Sequence, residues 1–456
     1  MPSAAMLSQS WRRVSDDVGV QHGAPLPEDA DVTEPDRREF IAALGAVLFA
    51  SLDRPDARAS ARPPTRSAGT HPFRIRTVTA GVHVDSAADM RTIESAISFL
   101  DRTREAYADA GYEVQTIRIA TQPLTSPARG VAADRLLADI QALDRAASEH
   151  NVLVSVGPLV RDDSADPGFP DWVAGLIAAT RNVSCSVTVA SPDHGIHDRA
   201  ARAAAAAMAA IARATPGGEG NFRFAAAANC PAGIPFFPAA YHEGADAFAL
   251  GLESAPIVAA AFAEARGRRA AHARLKTLFE AELGPVQAIA MAAARREGRR
   301  YLGIDASPAP GKDASIGAAV EALTHTPFGG PSTLEACATI TDVLKELALR
   351  TCGYSGLMLP VLEDPVLARR AAEHRFTVRE LLLYSSVCGT GLDVVPLPGD
   401  VSVDVLAALV GDVAALAVKL HKPLSARLFP IPGKAAGDVV QFTNPFLTDS
   451  VVMPAE

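Results

Sequence analysis

Between residues 73 and 431 the chain repeats one alternation, a short β-branched or apolar run followed by a longer stretch with helical spacing. The runs are FRIRTVTAGVHV, EVQTIRIAT, VLVSVGPL, VSCSVTVAS, NFRFAAAA, DAFALGLE, RYLGID, SGLMLPV, GLDVVPL and ARLFPIP. Stretches such as AADMRTIESAISFLDRTREAYADAG and AADRLLADIQALDRAASEHN separate them. Strands joined by helical crossovers run parallel, in a sheet covered on both faces. The pattern predicts about ten strands, in an open doubly wound sheet or a closed barrel that leaves no edge. Helices are expected at 313–323, 332–350, 365–388 and 402–420. The long stretch 255–299 should break into two helices near Gly284-Pro285, because proline lacks an amide donor.

Upstream of this pattern the chain changes character. Residues 1–35 are polar and rich in Pro, Asp and Glu, and are expected to be a disordered leader. Residues 36–59 carry Arg37-Arg38, an apolar run from Ile41 to Leu52, and Ala57-Arg58-Ala59. The run is too short to span a bilayer but suits the core of a signal peptide. The order RRxF, apolar run, then AxA predicts a twin-arginine export signal and a mature chain starting near Ser60. The protein would then be periplasmic or extracellular. The alternative is an amphipathic helix on a cytoplasmic protein. Residues 60–72 read as a Pro/Gly/Ser linker, and 73–456 as a single α/β domain with no integral membrane segment.

Charge and cysteines narrow the function. A formal net charge of −9, with no basic stripe, argues against nucleic acid as partner. The five cysteines form no CxxC or CxxxH pair, so a structural zinc site is not expected. A small-molecule ligand remains, and self-association is left open.

Ligands of parallel α/β folds gather at the carboxyl ends of strands, and four turns there are dense in Gly, Pro and polar groups. NCPAGIPFFPAAYHEGADAFALGLES places His242 in a loop and Glu253 at the end of an apolar run. Both are candidates for acid–base work, and the alternatives are a helix cap and a single backbone bond. GIDASPAPGKDAS offers Asp305, as a catalytic carboxylate or as an Asx-type holder of its own loop. CGYSGLMLPVLED offers Tyr354 and Ser355 between glycines as ligand contacts, without the GxSxG context of a nucleophilic serine. VCGTGLDVVPLPGD offers Cys388, as a reactive thiol or a small buried hydrophobe, and Asp393 as a ligand contact. Arg427 in ARLFPIPGK is a cation for an anionic group. Oxygen donors among these would favour Mg, Ca or Mn if a divalent ion is bound. The loops bearing His242, Glu253, Asp305, Ser355, Cys388 and Asp393 are expected to converge on one pocket.

RIRTVTAG, GIDASPAP, SGLMLPVLED, SVCGTGLDVVPLPGD and RLFPIPGK…GDVVQF occur in one order over residues 73–445. Together they resemble the domain of unknown function 711 family, also called pyruvate-formate-lyase-like. The resemblance implies a ten-stranded α/β barrel like that of glycyl-radical enzymes and ribonucleotide reductases. Glycyl-radical enzymes carry a C-terminal RVxG-type motif, and the tail PGKAAGDVVQFTNPF has none. The expectation is an enzyme of acid–base, not glycyl-radical, chemistry on a small polar or anionic metabolite. The alternative is a metabolite-binding protein on the same barrel.

Overall fold

The computed structural model describes residues 71–87, 89–124 and 133–456. The expected leader, the signal segment and all but the last two residues of the linker lie outside them. The first half alternates as the sequence predicts. β1 (Arg74–Val82), α1 (Met90–Asp109), β2 (Val114–Thr121), α2 (Ala133–Glu149), β3 (Val152–Val160), α3 (Phe169–Ala179) and β4 (Val183–Ser191) follow in order. A two-residue β5 (Gly195–Ile196), α4 (Asp198–Ala214), a 3₁₀ turn (Pro216–Arg223) and β6 (Phe224–Ala228) complete it.

The second half holds β7 (Ala247–Glu253), α5 (Ala255–Ala263), α6 (Arg268–Glu297), β8 (Arg300–Pro308), α7 (Ile316–Thr324) and α8 (Thr333–Lys345). Then come α9 (Pro365–Ala372), α10 (Val378–Ser385), β9 (Gly391–Pro398), α11 (Val403–Leu420) and β10 (Leu424–Ile431). Short β11 (Val439–Val440) and β12 (Ser450–Val451) pair with each other. The break expected at Gly284-Pro285 falls instead between α5 and α6. Pro285 sits inside α6, where Leu275, Phe279, Leu283, Val286 and Ala290 bury one continuous face. That buried stripe holds the helix together across the missing amide.

The main sheet has ten strands, in the order β8-β7-β1-β2-β3-β4-β6-β10-β9 with β5 beside β4. β1, β2, β3, β4 and β6 run parallel. The pairs β7–β8 and β9–β10 flank them and run the opposite way. The sheet is not closed, and in this it departs from the expected barrel. The run SGLMLPV forms no strand, and β8 and β9 remain edges. The reason lies in four successive amides. Tyr354 and Ser355 donate to the Asp305 carboxylate, Gly356 to Ser307 Oγ and Leu357 to Thr341 Oγ1. Gly353 and Ser355 adopt positive φ, at 64° and 39°. A backbone spent on side-chain acceptors cannot form a ladder. The segment touches each edge by one bridge, Thr351 to Ile304 and Pro360 to Asp393.

Gly356 and Gly389 fasten this segment to the turn before β9. A Cβ on either residue would stand 2.5 Å from the other's Cα, and Gly389 N donates to Leu357 O. Gly389→Ala is expected to destabilise the fold by about 2–3 kcal/mol, since backbone meets backbone and neither can yield. Gly411, inside α11 with open space around it, gives the opposite sign. Gly411→Ala should stabilise by about 0.5–1 kcal/mol. Urea midpoints of the two variants check both.

The alternation VSCSVTVAS assigns the two faces of the sheet. Val183, Cys185, Val187 and Val189 join the core with Ile117, Ile119, Val152, Val154 and the helices. Ser184, Ser186 and Arg118 point to the other face, which helices do not cover. The connection 229–245 crosses that face instead. Its carbonyls are held by strand hydroxyls, Thr79 Oγ1 to Pro235 O at 2.9 Å and Ser155 Oγ to Ala240 O at 2.6 Å.

Candidate anion-binding cavity

A cavity of about 930 Å³ lies over this polar face. Arg76, Leu153 and Ser184 reach it from near the amino ends of central strands, and Phe222 and Arg223 from just before β6. Arg427 and Asp393 reach it from the flanking pair that runs the other way. Two strand directions in one sheet bring amino ends and carboxyl ends to the same side. The carboxyl-end expectation therefore misplaces the contribution of β1–β4.

An alternating ladder of buried charges runs along one wall. Asp393 Oδ1 accepts from Arg427 Nε at 2.5 Å, and Arg427 Nη2 donates to Glu363 Oε1 at 2.8 Å. Glu363 Oε2 accepts from Arg76 Nη2 at 2.7 Å, and Arg76 Nη1 donates to Glu253 Oε2 at 2.8 Å. Arg74 and Gln115 close the series on Glu253 at 2.6 and 2.7 Å. Buried charges persist only when paired and hydrogen-bonded, and this ladder satisfies each carboxylate with a guanidinium. Burial pushes the Asp393 carboxyl up, against the pull of Arg427. Asp393 Oδ2 has no hydrogen-bond partner among the described residues.

Arg118 stands outside the ladder. It is 7% exposed, and its Nε donates to Thr116 Oγ1 at 3.0 Å. Its guanidinium lies 5.0 Å from the Phe237 ring centroid, and no carboxylate approaches it within ion-pair distance among the described residues. Burial, with Arg76 next, pushes it down to about 9, which leaves it cationic at neutral pH. A charged guanidinium inside a cavity wall with no counter-anion is an open anion site. Thr390, whose buried Oγ1 has no partner among the described residues, lines the same cavity.

Of the candidates named from sequence, Tyr354, Asp393 and Arg427 line the cavity. Glu253 stands behind Arg76 as its partner. Asp305 faces away from the cavity, into the 352–356 turn. Its Oδ1 accepts from Ser307 Oγ, Ser307 N and Ser355 N, and its Oδ2 from Tyr354 N. It takes the Asx-type alternative and places Tyr354 from behind. Burial outweighs these four donors and pushes its carboxyl up. Ser355 turns its hydroxyl to Cys352 O. His242 is buried against Gly81, its Nε2 paired with Gly244 O at 3.1 Å, and burial lowers its proton affinity. Cys388 is buried, with its carbonyl held by Lys422. The expected convergence of these loops on one pocket therefore holds for Asp393 and not for Asp305, Ser355, His242 or Cys388. Loop position alone cannot tell a residue that holds its own turn from one that faces a ligand.

Arg76, Arg118 and Glu363 escaped the sequence reading. The signal was present: TIRIA and RIRTV place arginines inside apolar runs, where a charge needs a reason. No three His, Cys, Asp or Glu side chains among the described residues form a group able to hold a metal. Of the cavity carboxylates, Glu363 and Asp393 are engaged by arginines and Glu219 by Thr443, so the donor set does not suit the expected divalent ion. The five cysteines are all free. No helix among the described residues is long and apolar enough to cross a membrane.

Asp305→Asn is expected to cost about 2–3 kcal/mol, because one amide hydrogen then faces an N–H it cannot accept. Chemical denaturation reads the loss.

Fold and cavity together define an α/β protein with a buried arginine–carboxylate site. The family profile described as Uncharacterised ACR (DUF711) matches residues 69–444, and the chain belongs to that family. It is 32% identical over 382 residues to the UPF0210 protein of Pyrobaculum islandicum, covering 77% of this chain and 82% of the relative. The UPF0210 proteins of Pyrobaculum aerophilum and Methanopyrus kandleri are each 30% identical. They cover 80% of this chain and 86% and 87% of their own lengths. The expected pyruvate-formate-lyase-like label finds no support in these matches, and neither does a glycyl-radical kinship.

Proposed function

We propose that the cavity binds a small organic anion on Arg118 and that the protein is an enzyme performing acid–base chemistry on it. Asp393 serves as proton acceptor through its free oxygen. The observation that carries the reading is the surplus guanidinium: each ladder carboxylate has its arginine, and Arg118 is left over. Thr390 supplies a hydroxyl to the same space, and Tyr354, whose hydroxyl is bonded to Ser425 Oγ, supplies its ring. In this reading the 350–361 segment, bridged once to each sheet edge, walls the ligand between β8 and β9.

Calorimetric titration with propionate, succinate and inorganic phosphate tests it on the parent and on Arg118→Met. An anion bound by the parent and lost in the variant is expected. Equal binding by both proteins, or by neither, rejects the site. Asp393→Asn should keep the affinity and lose turnover of the bound acid. Unchanged turnover removes Asp393 from the chemistry.

The segment 36–59 is proposed as a twin-arginine signal. Amino-terminal sequencing of native protein should give a start near Ser60, and an intact Met1 on active protein rejects export.

A further inference from the structure

The reading above leaves the ligand's body undefined, and the inference here rests on that reading. Away from the helix–sheet core a second apolar cluster forms from Ala227, Ile234, Phe236, Ala239, Ala309, Tyr354 and Met358. Five of these, Phe236, Ala239, Ala309, Tyr354 and Met358, line the cavity that holds Arg118. Apart from Ala227 of β6, the cluster is built from the 229–245 connection, the loop after β8 and the irregular segment after α8, and it stands apart from the main helix–sheet core.

Two further quantities limit what fits. The cavity, at about 930 Å³, has the volume of a site for a drug-sized molecule, far more than acetate or phosphate needs. Of the cavity's arginines, Arg76 and Arg427 hold carboxylates, Arg223 spends its Nη atoms on the carbonyls of Ile177, Thr180 and Val183, and Arg181 is exposed, which leaves Arg118 as the one buried guanidinium open to a ligand among the described residues. A single surplus cation balances a monoanion, whereas a dicarboxylate or phosphate dianion would bring an uncompensated charge beside Glu363 and Asp393.

We infer that the ligand is a monocarboxylic acid with an apolar, ring-sized body, its carboxylate on Arg118 and its body against Phe236 and Met358. The planar fork of the guanidinium matches a carboxylate through two parallel bonds, and neither of its Nη atoms has a hydrogen-bond partner among the described residues. Apolar surface on the ligand then meets apolar wall, and no carboxylate of the ladder loses its arginine.

Calorimetry on the full chain with propionate, hexanoate, 3-phenylpropionate, succinate and inorganic phosphate tests the inference. The expected result is 3-phenylpropionate at least tenfold tighter than propionate, with succinate and phosphate weaker than both. Met358→Ser should weaken 3-phenylpropionate about tenfold and leave propionate unchanged, with circular dichroism confirming the fold. The ligand series on the parent protein stands even if that variant does not fold. Hexanoate equal to 3-phenylpropionate keeps the apolar body and supports the inference. Succinate or phosphate as tight as 3-phenylpropionate, lost in Arg118→Met, overturns the apolar monoacid and leaves the anion site standing. Absence of any Arg118-dependent binding overturns both.

Discussion

Arg118→Met should raise the stability of the free protein while abolishing its affinity for carboxylates. Arg118 is buried, and none of its bonds to the described residues is to a carboxylate. An unpaired buried charge is a liability, and a well-packed methionine of similar length removes its desolvation cost. The lost Thr116 bond and Phe237 contact subtract from the gain. The expected net is about 1–2 kcal/mol of added stability, read as a higher urea midpoint at unchanged slope. The affinity falls about a hundredfold or more, since a bidentate charge-assisted pair goes. A protein that gains stability by losing a residue holds that residue for function. Loss of stability on the scale of a broken ion pair would instead make Arg118 structural.

Arg427→Met should move stability the other way. Arg427 joins Asp393 and Glu363, all three nine-tenths buried or more. Removing it leaves two carboxylates in a cavity wall, with Arg76 alone to hold Glu363. Breaking a buried pair from one side costs about 3–5 kcal/mol, because the orphaned charge stays desolvated. Asp393→Asn in the Arg427→Met background should recover about 1–2 kcal/mol, as residues in direct contact couple. Denaturant titration of the single and double variants closes the cycle. Additive losses would mean the two side chains do not share an interaction. The contrast between the two arginines, similar in burial and opposite in effect, separates ligand binding from architecture.

The strand runs were legible because each carries a local signature. VSCSVTVAS alternates with period two, and EVQTIRIAT and GLDVVPL are dense in β-branched residues. SGLMLPV is as apolar, though with a single β-branched residue, and forms no strand. What decides it is Asp305, 49 and 50 positions away from the amides it takes. Asp305 shows the same limit in the site: an aspartate after a strand reads alike whether it serves a reaction or its own loop. Arg118 was visible as a charge in an apolar run, but whether it has a partner cannot be read from its neighbours.

Sequence alone determined the α/β class, nine of the ten strands of the main sheet, most helix positions and the family; the tenth strand, β5, was not among its runs. These follow from periodicity and local propensity, which act over a few residues. Tertiary structure alone decided which end of the sheet holds the cavity, which carboxylates are consumed by arginines, and which arginine is left free. Arg76 and Glu363 lie 287 positions apart and meet at 2.7 Å. An ion pair depends on distance in space and on the loss of water around it, and the chain encodes both only through its completed fold.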